Sequence, residues 1–243
     1  MEALSALAAA TSASPVGASV TEVAGALGRD RSQVSRTLAA LSTHGLAERA
    51  HSNYRVSTQP YASAQALTEF RLRTDGLTVL ERLSSRVQTP CFLGELNGDS
   101  TVTIAESIPG NSGLIASWVG RAYPAFCSDA GQATLWDADP SEVRAVFAQT
   151  DFSTGGPRAA RNTEDFIERL TTARARGYSI VDEEAEPGLL SVAAPVFDYR
   201  SENVAALQIV GTRAALASRI AELGAHVRAE ANALTLLLGG SAT

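Results

Sequence analysis

Apolar positions recur along this chain first with a helical period and later with alternating runs, and the change divides it. Val20, Val23, Ala24 and Leu27 fall at i, i+3, i+4 and i+7, one face of a short helix that Gly28 ends. Asp30 stands where a cap belongs, and Val34, Leu38 and Leu41 repeat the spacing until Gly45. Two helices of about eight and thirteen residues, joined by a short glycine-containing turn, make a helix-turn-helix. AERA and YRVS, on either side of HSN, read as two short strands around a tight turn, which is a wing. The opening MEALSALAAATSAS superficially resembles the apolar part and cleavage site of a signal peptide. It carries Glu2 and no basic residue before that run, so the expectation is a helix and a loop.

With Val34, Leu38 and Leu41 turned inward, Arg31, Ser32, Ser35 and Arg36 fall on the outer face of the second helix, flanked by Gln33 and Thr37. These residue types donate to phosphates and base edges. A solvated helix surface carries the same types, and it is the joint agreement of turn, cap, helix order and wing that favours nucleic acid. At the wing tip His51, Ser52 and Asn53 are turn residues. With Arg49 and Arg55 beside them, they can also lie along the backbone or minor groove.

From Thr58 to Gln88 the period is helical again, through Tyr61, Leu67 and Phe70 and then Leu77, Leu80, Leu83 and Val87, with a break suggested at Gly76. Strand-like runs follow: TPCFLGEL, STVTIAES and LIASWVG. Ser128 and Asp129 look like a cap before a helical AGQATLW, and SEVRAVFA and Thr163 to Arg176 read as further helices. Three more strand-like runs, GYSIVDEE, LLSVAAPVFD and VAALQIVG, lead to a long terminal helix with Leu216, Ile220, Leu223, Val227 and Leu234 on one stripe. The order indicates an α+β domain with a largely antiparallel sheet. The expected organisation is a DNA-binding head over residues 1–57, a linker and dimerisation helix over 58–75, and a ligand-binding domain over 76–243.

Composition narrows the chemistry. The 243 residues are 45% apolar and 19% charged with a net charge of −6, which describes a folded chain. Residues 1–57 hold Arg29, Arg31, Arg36, Arg49 and Arg55 against Glu2, Glu22, Asp30 and Glu48, a net of +1, so the acidity belongs to the rest. Every basic residue is arginine, which excludes a Gly-Lys phosphate loop and Schiff-base chemistry. The three histidines, His44, His51 and His226, lie in the head or on an apolar helix. Cys127 as a nucleophile therefore has no assignable base, and a buried cysteine more often acts as a small hydrophobe. Cys91 and Cys127 lack metal-clip spacing. Asp182, Glu183, Glu184 and Glu186 have no accompanying histidine and read as a solvated turn. No cofactor, metal, membrane span or catalytic residue is expected, and a cytoplasmic location is.

The run GYSIVDEEAEPGLLSVAAPVFDYRSENVAALQIVG, Gly177 to Gly211, resembles the IclR type of bacterial transcription factor. The likeness rests on its glycine-aromatic start, Glu183-Glu184, Pro187-Gly188, Ala193-Ala194-Pro195-Val196 and closing glycine. VTEVAGALGRDRSQVSRTLAAL and VGRAYPAFCSDAGQATL support it. The resemblance implies a winged helix-turn-helix, a dimerising linker helix and a GAF-like effector domain. Dimers, or dimers of dimers, would act on a pseudo-palindromic double-stranded DNA operator. It also implies a small-ligand site at the Asp129-Ala130 turn and at Val181, Ser191, Gln208 and Val210. There the family commonly has a small residue, aspartate, cysteine and serines respectively.

Gln208 and Val210 share parity on one strand, so they face one side while Leu207 and Ile209 face the other. A hydrogen-bonded core glutamine is the competing reading of Gln208. The expected effector is a compact, partly apolar organic acid or amide-like derivative, aromatic rather than a two- or three-carbon keto acid. Trp118, Phe126 and Cys127 would line its pocket, and its anion would sit at the N-terminus of the helix opening at Asp129, provided that Asp129 turns outward as a cap. The function expected is ligand-responsive repression. A GAF-like binding protein without DNA function and a cysteine-dependent enzyme are the alternatives.

Overall fold

The computed structural model describes residues 1–14, 16–110 and 117–241. The chain divides into two compact units, Met1–Leu67 and Thr68–Thr243.

In the first unit, α1 (Glu2–Ala13) precedes β1 (Ala18–Ser19), α2 (Val20–Leu27), α3 (Arg31–Thr43), β2 (Ala47–Ala50) and β3 (Asn53–Val56). Ser19 and Glu22 form a reciprocal capping box that starts α2. Gly28 ends it in the left-handed conformation, and Asp30 Oδ1 caps α3 by accepting from the Ser32 and Gln33 N–H groups at 2.8 and 3.2 Å. Leu7, Val23, Val34 and Leu38 fill the core between the helices, closed by Ala18 and Tyr54 from an antiparallel sheet of order β1-β3-β2. His51 turns the hairpin with φ of 56°. This is the expected helix-turn-helix and wing. The added strand β1 is too short to leave an alternating pattern.

The helix α4 (Gln59–Val87) is continuous, so the break expected at Gly76 is absent. Gly76 is there for clearance: a Cβ at that position would lie 2.9 Å from Leu93 Cδ2. In the second unit, α4 is followed by β4 (Cys91–Asn97), β5 (Ser100–Ser107), β6 (Ala122–Pro124), α5 (Gly131–Thr134), α6 (Pro140–Val146) and α7 (Thr163–Arg176). Then come β7 (Ser179–Asp182), β8 (Leu189–Phe197), β9 (Asn203–Thr212), α8 (Arg213–Leu216) and α9 (Ile220–Leu237).

The sheet is antiparallel throughout, in the order β6-β5-β4-β9-β8-β7. Leu207 and Ile209 pack from one face against Leu80 and Leu83 of α4 and Leu223, Val227 and Leu234 of α9. Burying each such side chain is worth about 1.5–3 kcal/mol, which makes this layer the main support of the unit. On the other face, Ala193 and Ala206 meet Ala130 and Ala133, small residues that let α5 lie close to the strands.

Three local expectations are corrected. The AGQATLW helix shrinks to the four residues of α5. Leu216 belongs to the separate α8 rather than to the terminal helix. In LIASWVG, residues 117–120 are coil and turn rather than strand, and residues 114–116 lie outside the described residues.

Candidate functional site

On α3, Arg31, Ser32, Gln33, Ser35, Arg36 and Thr37 are all exposed, as the spacing predicts. They are not equally available. The Ser32 hydroxyl donates to Asp30 Oδ1 at 2.5 Å and the Thr37 hydroxyl to the Gln33 carbonyl at 3.0 Å. Arg31 and Arg36 make no hydrogen bond or ion pair with any described residue. On the wing, Arg55 is bonded to Glu48 at 3.0 Å, while Arg49 donates to the His51 carbonyl at 3.3 Å and stands over the Tyr54 ring. Ser52 donates to Asn53 Oδ1 at 3.4 Å. Among the described residues, then, Arg31 and Arg36 on α3 and Arg49 on the wing have no carboxylate partner.

The second unit contains a cavity of about 390 Å³. Its floor is sheet: Phe92 of β4 is the cross-strand partner of Gln208 on β9, Thr101 and Thr103 come from β5, and Val210 continues β9. The rest of the lining comes from the segment between Trp118 and Ala130, from Ala185, Glu186 and Leu189, and from Ala215 and Leu216 of α8. The turn that carries Asp129 is held tightly against β6. A Cβ at Gly131 would lie 1.7 Å from the Ala125 carbonyl oxygen, so only glycine fits. The 185–189 side is tied down by the Tyr123 hydroxyl, which donates to the Ala185 carbonyl at 3.1 Å, and by the Gly156 N–H on the Glu184 carbonyl at 2.7 Å.

Charge in and behind this cavity is mostly negative. Asp129 and Glu186 line it, with Arg121 as the one cation among the lining residues, exposed and 5.0 Å from the Trp118 ring. Burial pushes the Asp129 carboxyl up to about 6, with the Ser191 hydroxyl drawing it back and Glu186 adding to the rise. Behind it Glu184 is pushed up to about 7 by burial against the opposing pull of Arg169, whose Nη1 is 3.1 Å from Glu184 Oε1. Among the described residues Gln208 Oε1 and Asp129 Oδ1 are buried short of well-placed hydrogen-bond partners, the buried Ser191 hydroxyl being the donor that bears on the Asp129 carboxyl. A buried polar atom left unmatched costs about 1–3 kcal/mol, so such a group marks a place where a partner is missing.

Of the residues expected at a ligand site, Trp118, Asp129, Ala130, Gln208 and Val210 come together around the cavity. Ser191 is wholly buried beside Val210, its cross-strand partner. Three expectations are corrected. Phe126 lies in the core, its ring 4.7 Å from that of Phe152. Cys127 packs in the same cluster, its thiol raised to about 12 by burial and by Glu184 and Asp129, which makes it a hydrophobe and no nucleophile. Val181 is buried on β7 and does not line the cavity.

The outward-turned Asp129 cap is also overturned: Ala130 occupies the N-cap of α5 without a side-chain bond, and the Gly131 N–H is spent on the Ser128 carbonyl at 3.2 Å. Ser128 instead accepts from the Thr101 hydroxyl at 2.8 Å. Phe92, Arg121 and Glu186 were missed. Phe92 stands in a run, Cys91 to Gly94, that is buried on both faces, and the other two stand in irregular segments, so periodicity marks none of them. Among the described residues no group of three or more His, Cys, Asp or Glu is placed to hold a metal ion, and no helix is long and apolar enough to cross a membrane.

The chain matches the family model described as bacterial transcriptional regulator IclR C-terminal over residues 64–236, and the IclR helix-turn-helix domain over residues 1–51. It is 28% identical over 131 residues to the Pca regulon regulatory protein of Pseudomonas putida, a match covering 54% of this chain and 45%, less than half, of that relative. It is 28% identical over 211 residues to the HTH-type transcriptional regulator BhcR of Paracoccus denitrificans, covering 80% of this chain and 71% of BhcR. The crystal structure of the Agrobacterium tumefaciens repressor BlcR superposes with a TM-score of 0.61 at 24% identity, covering 98% of this chain and 93% of BlcR. The chain therefore belongs to the IclR family of bacterial transcriptional regulators.

Proposed function

We propose that this chain is a repressor, acting as a dimer or dimer of dimers on a pseudo-palindromic operator, whose effector is a compact organic acid or amide-like derivative with an aromatic ring. The observation that carries the effector reading is the 390 Å³ cavity with its unmatched buried oxygens. A cavity of roughly 150 Å³ holds benzene, so this one takes a substituted ring with room to spare, whereas a two- or three-carbon keto acid leaves most of it empty. Phe92, Trp118, Tyr123, Leu189 and Val210 supply apolar surface for a ring. The GAF-like description of the domain agrees with a ligand held between the sheet and its flanking turns.

For the operator, Arg31 and Arg36 are the leading contacts, with Gln33 and Ser35 free to reach base edges and Ser32 and Thr37 on the same face. Arg49, Ser52, Asn53 and Arg55 follow the backbone or minor groove. BlcR, similar in fold, is a repressor, which favours that sign of regulation. A gel shift with the protein's own upstream DNA, repeated with aromatic acids and amides, tests the proposal. Retarded DNA released by such a ligand is expected. DNA that is never retarded, or a complex released by pyruvate and indifferent to every aromatic ligand, contradicts it.

A further inference from the structure

On the reading that this cavity is the effector site, we propose that its ligand presents an N–H donor head, an ammonium or primary amide, and not a carboxylate, to Asp129 and Gln208. Asp129 and Gln208 line the cavity, each with a buried oxygen short of a partner among the described residues, and the Ser191 hydroxyl, buried behind them, is directed at Asp129. Gln208 is only 5% exposed and lines the cavity. Ser191 is the cross-strand partner of Val210, which also lines it, so both side chains project from the same face of the sheet. Asp129 is partly exposed as a residue, but its Oδ1 is shut off from water.

An ionised carboxylate accepts and never donates, and the Ser191 hydroxyl has one proton to give. This wall therefore has acceptors to spare, and N–H groups answer it. A ligand carboxylate placed here would add a third anion to Asp129 and Glu186. Nothing local offsets that charge: α5 is four residues long and the Gly131 N–H is already bonded to Ser128. Arg121 is the cation of the lining, and it is exposed beside Trp118, so an acidic substituent belongs there.

Three probes of nearly equal size, benzylamine, benzamide and benzoate, decide the matter by calorimetry on the full chain at pH 8. They are measured on the wild type and Asp129→Asn, with Val210→Trp and Ala215→Trp as cavity-filling controls. Ala215 is exposed on α8, so that second control does not depend on refilling a core. The better of benzylamine and benzamide is expected to bind at least about tenfold more tightly than benzoate, the scale of a hydrogen bond to a charged group. Asp129→Asn is expected to remove most of the benzylamine advantage.

Benzoate as the tightest probe, or a head-group preference untouched by Asp129→Asn, overturns the donor-head assignment. If the cavity-filling variants still abolish binding, the effector site itself stands. Binding that survives both fillings, or no binding by any probe at millimolar concentration, refutes the effector reading and the assignment with it.

Discussion

Arg55 on β3 lies 3.0 Å from Glu48 on β2, directly across the wing hairpin, so its charge is largely answered within the protein. Arg31 and Arg36 on α3 have no such partner among the described residues. Arg31→Ala and Arg36→Ala are each expected to weaken operator binding by about 1–3 kcal/mol, and Arg55→Ala by less. Fluorescence anisotropy on a series of operator variants also separates their roles. A residue reading a base edge relaxes preference at one position, and one holding phosphate weakens all sequences alike and lowers the salt dependence. Unchanged affinity in both α3 variants would remove this helix from the interface.

Acidity should stabilise the ligand-free protein. Asp129 and Glu184 are carboxyls raised to about 6 and about 7, chiefly by burial, so the folded chain holds their protons more tightly than the unfolded chain does. Their contribution is fully present below the unfolded values of roughly 4 and is lost as pH rises through the folded ones. Glu186 adds to the rise at Asp129, Asp165 and Asp129 add to that at Glu184, and Ser191 and Arg169 oppose them. Urea melts should show stability falling between about pH 4.5 and 7.5, with Asp129→Asn more stable than wild type at pH 8 by about 1–3 kcal/mol and less dependent on pH. An Asp129→Asn variant less stable than wild type at pH 8 would show that the carboxylate is already paired.

Gly131→Ala tests the turn beneath the cavity. The added Cβ meets the Ala125 carbonyl at 1.7 Å, a backbone atom that cannot swing aside. A loss of about 2 kcal/mol or more is expected in thermal unfolding, together with weaker effector binding. A silent substitution would mean that the turn relaxes freely.

Self-association follows from α4, where Tyr61, Leu67 and Phe70 are more than half exposed. Large apolar side chains spaced along one helix commonly mark an interface. Light scattering should give a dimer or larger at micromolar concentration and a smaller species for Phe70→Glu with weaker operator binding. A wild-type monomer with full operator affinity would contradict the two-headed reading.

Most of the fold was legible because periodicity reports which face is buried. The α2 and α3 spacing, the Asp30 cap and the Thr163–Arg176 helix all follow from it. Gly76 misled because a glycine required for close approach looks the same in sequence as one that breaks a helix. Gln208 and Val210 were placed by strand parity. Phe126 and Cys127 were misplaced because residues beside a turn give no sign of which way they point. Arg121 and Glu186, which set the charge of the cavity, come from turns that only the tertiary fold brings together.

If occupation of the cavity controls DNA binding, linkage requires that ligand and operator change each other's affinity by the same factor. Operator affinity should therefore be measured by anisotropy with and without saturating benzamide, on wild type and on Gln208→Ala. Operator binding is expected to weaken at least about fivefold with the ligand in wild type and to change little in Gln208→Ala. Operator affinity indifferent to a ligand that calorimetry shows to be bound in the cavity would contradict it.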